Sequence, residues 1–285
     1  MRIKIIADST CDLSFDLMKL HDIRMAPLTI VMGGQGYKDS YDIAPEDIFA
    51  FVETGGGISH TTAVSVGEYL TIYGEEKAAG ADAIIHFTIS GELSACHDNA
   101  LVAARDFERV YPIDTRSLST GSGWLVLYAV DLIAAGLSAE EVVARCEAKK
   151  QLIEASFVIS TLDYLHKGGR CSGVAALSAG LLNIKPCLEL RQGKIEVARK
   201  YRGKIGKVIE RYLRDRLSNR DDIEPRRALL THTLFDEPEL VAEAFEIAKK
   251  LYPFEELILT SAGCTVSNHC GPGTLGILFC RREPV

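Results

Sequence analysis

Four places in this chain put chemically capable side chains where a ligand can be met. The first is TGGGISHTTAVSVGEYL, where Thr61, Thr62 and Ser65 set three hydroxyls at a loop-to-helix junction. Exposed amides at a helix N-terminus with hydroxyls alongside form a site for an anion. The second is ISGELSACHDNA, which follows a strand and sets Ser94 near the start of another helix. The third is LDYLHKGGR. Gly168-Gly169 lets backbone approach a neighbour closely, and Arg170 offers five fixed donors suited to a carboxylate or phosphate. The fourth is His269 between Cys264 and Cys270, a spacing that raises a Cys–His nucleophile, although no residue is apparent that would orient the imidazole. Each has a plainer reading: the hydroxyls cap helices, the glycines make a turn, Arg170 pairs with a local acid, and His269 satisfies a core carbonyl.

The elements that must position these residues follow from apolar patterning. RIKIIA, MAPLTIVMGG, DAIIHFTIS and ERVYPIDT read as strands, with helices between them. Asp8, Ser9, Thr10 and Asp12 are turn and cap types that close the first strand-to-helix turn, at the strand end where open α/β sheets hold ligands. A helix is expected to be capped near Asp42, with Pro45 in its first turn; Ser65 caps another, and Ser138 with Glu141 forms a capping box. Gly121 and Gly123 open the weakly polar helix SLSTGSGWLVLYAVDLIAAG and imply close packing. Alternation of strand and helix predicts a parallel or mixed sheet flanked by helices. Past residue 155 the pattern changes: FVISTL leads through the loop to a small-residue segment, VAALSAGLLN, and IKPCLEL then pairs with KIEVARK across RQGK. The expected fold is α/β in two domains: residues 1–155 with a parallel-type sheet, and residues 156–285 of α+β type with hairpins.

Composition narrows the function. A net charge of −7 disfavours a general nucleic-acid surface or an anionic-membrane surface. No apolar run reaches the roughly 20 residues that a membrane span needs, and MRIKIIADST lacks the features of a secretory signal, so a cytoplasmic location is expected. The eight cysteines are scattered without a CxxC pair, against a zinc cluster or a disulfide framework. There is neither a GxxxxGK[ST] loop nor a GxSxG elbow, so neither a phosphate-binding loop nor a nucleophile elbow points to kinase or hydrolase chemistry in the chain itself.

Taken in order, the motifs ADSTCDLS, HTTAVSVGEY, ISGELSACHDNA, DTRSLSTGSG, LDYLHKGGR, LLNIKP and CGPGTLG resemble those of the DegV family of bacterial fatty-acid-binding proteins. Thr61 matches the family's Thr and Ser65 the last Ser of the second motif; Ser94 falls on the key Ser of the third. This sequence departs at Thr62-Ala63-Val64 and at Ala95-Cys96-His97, which alters the walls around the two hydroxyls. The resemblance spans essentially the whole chain. It implies a DegV/EDD-like pair of α/β domains with a long-chain fatty acid buried between and within them, and no cofactor besides that ligand. It also implies that Thr61 and Ser94 donate to the carboxylate, with His269 and Arg170 balancing its charge and Thr62 and Ser65 nearby. The family's partner is a separate kinase subunit, similar to dihydroxyacetone kinase, which phosphorylates the bound carboxylate. An acyl hydrolase or another small-molecule carrier or regulator on the same fold is the alternative.

A docking surface for that kinase is expected on KYRGKIGKVIERYLRDRLSNR, which is basic within an acidic chain. Lys200, Arg202 and Lys204 follow the central loop and are expected to rim the mouth of the acyl site, where they steer an acidic partner.

Overall fold

The computed structural model describes residues 2–171 and 184–282. The small-residue segment VAALSAGLLN lies outside the described residues. The first half of the chain runs β1 (Ile3–Asp8), α1 (Phe15–Leu20), β2 (Ile23–Ala26), β3 (Thr29–Met32), β4 (Gln35–Lys38), α2 (Pro45–Glu53), β5 (His60–Thr62), α3 (Val66–Ala78), β6 (Ala83–Thr88), α4 (Cys96–Ala104), β7 (Val110–Asp114), α5 (Thr120–Ala134) and α6 (Ala139–Lys149). The second runs β8 (Ile153–Val158), α7 (Asp163–Gly168), β9 (Ile184–Arg191), β10 (Lys194–Arg202), α8 (Ile205–Leu217), β11 (Ile223–His232), α9 (Glu239–Leu251), β12 (Glu256–Ser261), α10 (Cys264–Cys270) and β13 (Leu275–Arg281).

Four strands form a parallel sheet in the order β2-β1-β6-β7. Every residue of β6 is buried, which fits a central parallel strand covered on both faces. A second, mixed sheet has the order β10-β9-β8-β13-β11-β12; only β11 and β12 pair in parallel. The expected hairpin is β9-β10, closed through Gln192-Gly193 with both residues at positive φ. A small antiparallel sheet, β4-β3-β5, completes the set.

MAPLTIVMGG is not one strand. It divides at Pro27-Leu28 into β2 of the parallel sheet and β3 of the small sheet, because a proline lacks the N–H that a continuous ladder needs. The cap of α2 is Ala44, not Asp42: Asp47 accepts from Ala44 N at 2.9 Å, while Asp42 accepts from Lys38 N at 2.6 Å and closes a turn. The capping boxes Ser65–Glu68 and Ser138–Glu141 are formed.

Helix α5 joins the two sheets. It packs against β1 and β6 on one side and β8, β11 and β13 on the other, and from Thr120 to Leu127 every residue is buried. A helix apolar all round has this place available to it and no surface position. Trp124 donates from Nε1 to the carbonyl of Arg227 at 3.0 Å. Gly123 is needed because a Cβ there would sit 2.7 Å from the carbonyl oxygen of Cys11.

Candidate functional site

The loop that carries Ser94 is fixed from below by Asp8, at the carboxyl end of β1. The Asp8 carboxylate is buried and accepts from Ile89 N at 3.0 Å and from the Tyr69 hydroxyl at 2.7 Å. His86 Nε2 lies 3.1 Å from the same carboxylate, and its Nδ1 lies 2.7 Å from the Tyr73 hydroxyl. Asp8 is therefore an anchor for the turn after β6, not a helix cap; Ser14 caps α1. From Ile89 the chain turns through Ser90, whose carbonyl accepts from Ser94 N at 3.2 Å. Among the described residues the Ser94 hydroxyl bonds only to Cys96, donating to its sulfur at 3.2 Å and accepting from its N–H at 3.3 Å. Sulfur is a weak acceptor, so the Ser94 proton is readily given to a better one.

His269 is brought to the site by α10, and that helix is held by residues of the first half. Asp39 accepts from Cys264 N at 2.8 Å and Thr265 N at 3.1 Å, and Asp12 accepts from Gly263 N at 2.8 Å. These carboxyl oxygens satisfy the unpaired donors of the first turn. Ser59 donates to Asn268 Oδ1 at 2.5 Å and its carbonyl accepts from Asn268 Nδ2 at 3.0 Å. Burial raises the Asp12 carboxyl to about 8, with the nearby Asp39 adding to the shift.

The result is a close pair: Thr61 Oγ1 lies 2.8 Å from His269 Nε2. Burial lowers the imidazole to about 4, assisted by the charge of Arg170, so His269 is neutral at neutral pH. Its buried Nδ1 has no hydrogen-bond partner among the described residues. An unpaired acceptor is tolerated better than an unpaired N–H, which places the ring proton on Nε2, donating to Thr61. The Thr61 hydroxyl then accepts from His269 and keeps its own proton for the cavity in front of it. Nδ1 faces Gly168, where an added Cβ would lie 2.4 Å away. The glycine pair thus admits the imidazole edge: Gly168 by lacking a side chain, Gly169 by its φ of +68° at the end of α7.

Thr61, Ser94, His269 and Arg170 line one cavity of about 60 Å³, with Thr62 at its edge. Thr265 also lines it, and the rest of the lining is apolar, with Leu28, Ile89, Leu118, Leu165, Ile195 and Val266 among it. Arg170 is exposed and donates to the Gly168 carbonyl at 2.7 Å, leaving its other guanidinium donors at the mouth. Ser65 is not part of this lining. It is exposed, and its hydroxyl donates to Glu68 at 2.7 Å and accepts from Glu68 N, so the capping box occupies it. Thr61 and Thr62 lie in strand β5, not at the helix N-terminus, and Thr61 pairs with Ile30 of β3.

Lys200, Arg202 and Lys204 are all exposed. None of the three is among the residues that line the cavity, although Ile195 of the same strand is. The two cysteines that flank His269 are poorly placed as nucleophiles. Cys264 and Cys270 are buried, and burial pushes both thiols up to about 12. Among the described residues, no acid orients His269 through Nδ1, no group of side chains could hold a metal ion, and no helix is long and apolar enough to cross a membrane.

The family model described as "Uncharacterised protein, DegV family" matches residues 2–282. The chain belongs to the DegV family. A DegV domain-containing protein of Caldanaerobacter subterraneus subsp. tengcongensis is 32% identical over 281 residues, covering 98% of each chain. Among solved structures, a DegV family protein from Thermus thermophilus described by its fatty-acid binding superposes with a TM-score of 0.87. It is 32% identical and covers 99% of this chain and 100% of its own. The fatty acid kinase (Fak) B3 protein of Streptococcus pneumoniae, loaded with linoleic acid, gives a TM-score of 0.84 at 25% identity, over 99% of this chain and 100% of its own. The two α/β parts and the mixed second sheet of this DegV protein are those expected from its motifs.

Sequence reasoning missed Asp12 and Asp39 as the holders of α10, and the apolar wall from Leu28 to Val266. Asp12 and Asp39 carry a signal, since each is a carboxylate in a turn, but nothing near them in the chain names a partner more than 200 residues away.

Proposed function

We propose that this protein binds a long-chain fatty acid, with its carboxylate at Thr61 and Ser94 and its tail along the apolar wall, and presents the carboxylate to a separate kinase subunit. The observation that carries the reading is the Thr61–His269 pair, with Ser94 and Arg170, in a mainly apolar cavity. Two hydroxyl protons are free to point at one anion, and a neutral imidazole behind Thr61 holds its lone pair occupied. The charge balance then falls to Arg170, since His269 is neutral. Arg170 stands exposed at the mouth, where charge need not be fully desolvated.

The apolar wall supplies affinity at about 0.8 kcal/mol for each methylene removed from water, and the hydroxyls fix which end enters first. The fatty acids named with the Thermus thermophilus and Streptococcus pneumoniae proteins support the ligand class, and the kinase named with the latter supports the partner. Recognition by the kinase rests on charge. Lys200, Arg202 and Lys204 form an exposed basic edge on β10 and the turn after it, within reach of a standard-sized interface that also covers the mouth. The protein itself contributes binding and presentation, and the phosphoryl-transfer groups belong to the partner.

The test is extraction of purified recombinant protein with organic solvent, followed by mass spectrometry and titration of the stripped protein with palmitate. A fatty acid recovered at about one per chain, and rebound after stripping, is the expected outcome. Protein that carries no fatty acid and does not bind palmitate refutes the reading.

A further inference from the structure

A second cavity, of about 370 Å³, opens beside the β9-β10 hairpin and shares no lining residue with the head-group cavity. Among the described residues its wall holds six cations, Arg116, Lys150, Arg191, Arg216, Arg220 and Arg281, against two carboxylates, Glu154 and Glu189. That excess of positive charge lies in a chain whose net charge is −7. The fold creates it. Glu154 pairs with Phe279 across β8-β13, and Glu189 with Ser156 across β8-β9. Alternation along the strands therefore puts Glu154, Glu189 and Arg281 on one face of the sheet. The last turn of α8 brings Arg216 to both carboxylates there, and Arg220 follows just past the helix end.

Two carboxylates do not satisfy this many guanidinium groups. Arg216 bonds Glu154 at 2.6 Å and Glu189 at 2.5 Å, while Arg220 bonds Glu154 at 2.9 Å and Asp222 at 2.5 Å. Arg281 Nε stands 3.5 Å from Glu154 without forming a hydrogen bond. The Nε donors of Arg216 and Arg281 are both buried, and neither has an acceptor among the described residues. A buried N–H left unpaired is costly, so both call for an acceptor in the cavity. The remaining cations are held from outside it. Arg116 donates to the Gln192 carbonyl and to Glu92 at 3.3 Å, with Asp114 at 3.7 Å, and Lys150 pairs with Glu147 at 2.6 Å. None of these three acids is part of the lining.

We infer that this cavity binds a small polyanion of the phosphate class, held by Arg216 and Arg281, with Arg116, Lys150 and Arg220 balancing its charge. A diphosphate group suits it best. It offers acceptors to several guanidinium donors at once, and its charge answers an excess of several cations, which a single carboxylate would not. The side chains of Arg216 and Arg220 are only 16% and 23% exposed, recessed where a compact ligand reaches them and the broad face of an acidic protein or a nucleic acid does not. The inference is independent of the head-group reading.

The test is calorimetric titration of the purified full-length protein with inorganic pyrophosphate, inorganic phosphate and ADP at low salt. One pyrophosphate per chain is expected, bound at least about tenfold more tightly than phosphate. The ADP arm identifies the source of the diphosphate and supports the site either way: tighter binding than pyrophosphate points to a nucleoside diphosphate, weaker binding to the free anion. Arg281→Gln should weaken pyrophosphate by about ten- to hundredfold, the loss of one hydrogen bond to a charged group, and leave palmitate binding as it was. Glu154→Gln should tighten pyrophosphate, because it removes a charge that competes for the same donors; a plain network of ion pairs gives no such gain. If pyrophosphate does not saturate the wild-type protein, or if both variants bind it like wild type, the cluster is only an ion-pair network and the inference is wrong. Should one variant fail to fold, the wild-type titration and the other variant decide.

Discussion

Thr61→Val removes one oxygen and leaves the side-chain shape unchanged, and the structure says it should be felt twice. In the stripped protein, Thr61 Oγ1 is the acceptor for His269 Nε2 at 2.8 Å in a partly buried bond. With valine there, the N–H loses its partner, at a cost of about 1 kcal/mol or somewhat more in stability. In the complex, the carboxylate also loses a hydrogen bond to a charged group, worth about 1.5–3 kcal/mol, or about 10- to 150-fold in Kd. Ser94→Ala separates the two effects. Among the described residues its hydroxyl bonds only to Cys96, two residues away, so the variant should lose acyl affinity by a similar factor and unfold within about 0.5 kcal/mol of wild type. Thr61→Ser, which keeps the oxygen, should restore most of both properties. The assay is thermal unfolding of stripped protein beside calorimetric titration with palmitate. If Thr61→Val and Ser94→Ala both bind palmitate like wild type, the carboxylate is not held where the geometry puts it. If Thr61→Val unfolds like wild type, the proton on His269 has been placed on the wrong nitrogen.

Asp12 offers a pH test. Its carboxyl is raised to about 8 in the folded protein against an ordinary value of 3.8, so between those limits the unfolded chain is ionised there and the folded one is not. Unfolding releases a proton in that window, and stability should fall as pH rises through it, by up to about 1.4 kcal/mol per unit from this one group. Asp12→Asn keeps an acceptor for Gly263 N and gives Ser119 a donor, so it should flatten the slope between about pH 4 and 8 in denaturant titrations. Gly168→Ala should push the imidazole off Thr61 and weaken palmitate binding by about 0.5–1.5 kcal/mol, the worth of one hydrogen bond. Gly169→Ala should instead cost about 1–2 kcal/mol of stability through its φ of +68°, with binding little changed once the protein is folded. Arg202→Ala should leave palmitate affinity intact and slow acyl-phosphate formation with the cognate kinase, with less dependence on salt than wild type; an unchanged rate at low salt would remove this surface from the docking site.

Local signals in the chain were read correctly where physics is local. The β9-β10 hairpin, the Ser65 and Ser138 capping boxes and the buried character of α5 each depend on residues within a turn or two. Thr61, Ser94, His269 and Arg170 were legible as a set only through motif order, and the structure brings all four to one cavity. Ser65 was misplaced because its own helix claims its hydroxyl. Lys200, Arg202 and Lys204 are expected at the mouth from nearness in sequence; the structure shows them exposed on β10 and the turn after it, outside the cavity lining. The neutrality of His269 was not legible, since it comes from burial and the facing Arg170 charge, which are properties of the assembled fold.

The clamp on α10 bears on how a ligand gets in. Asp12, Asp39 and Ser59 belong to the first half of the chain, and together they make five bonds of 3.1 Å or less to Gly263, Cys264, Thr265 and Asn268 in the second. A hinge that parted the halves would break all five together, at a cost on the order of several kcal/mol before any apolar surface met water. Exchange of a bound lipid by such a jaw would be slow, whatever its affinity. The less costly route is a small movement at the mouth of the cavity while α10 stays seated. Loading then depends on side chains and short segments near the mouth, and a partner can trigger release without taking the molecule apart.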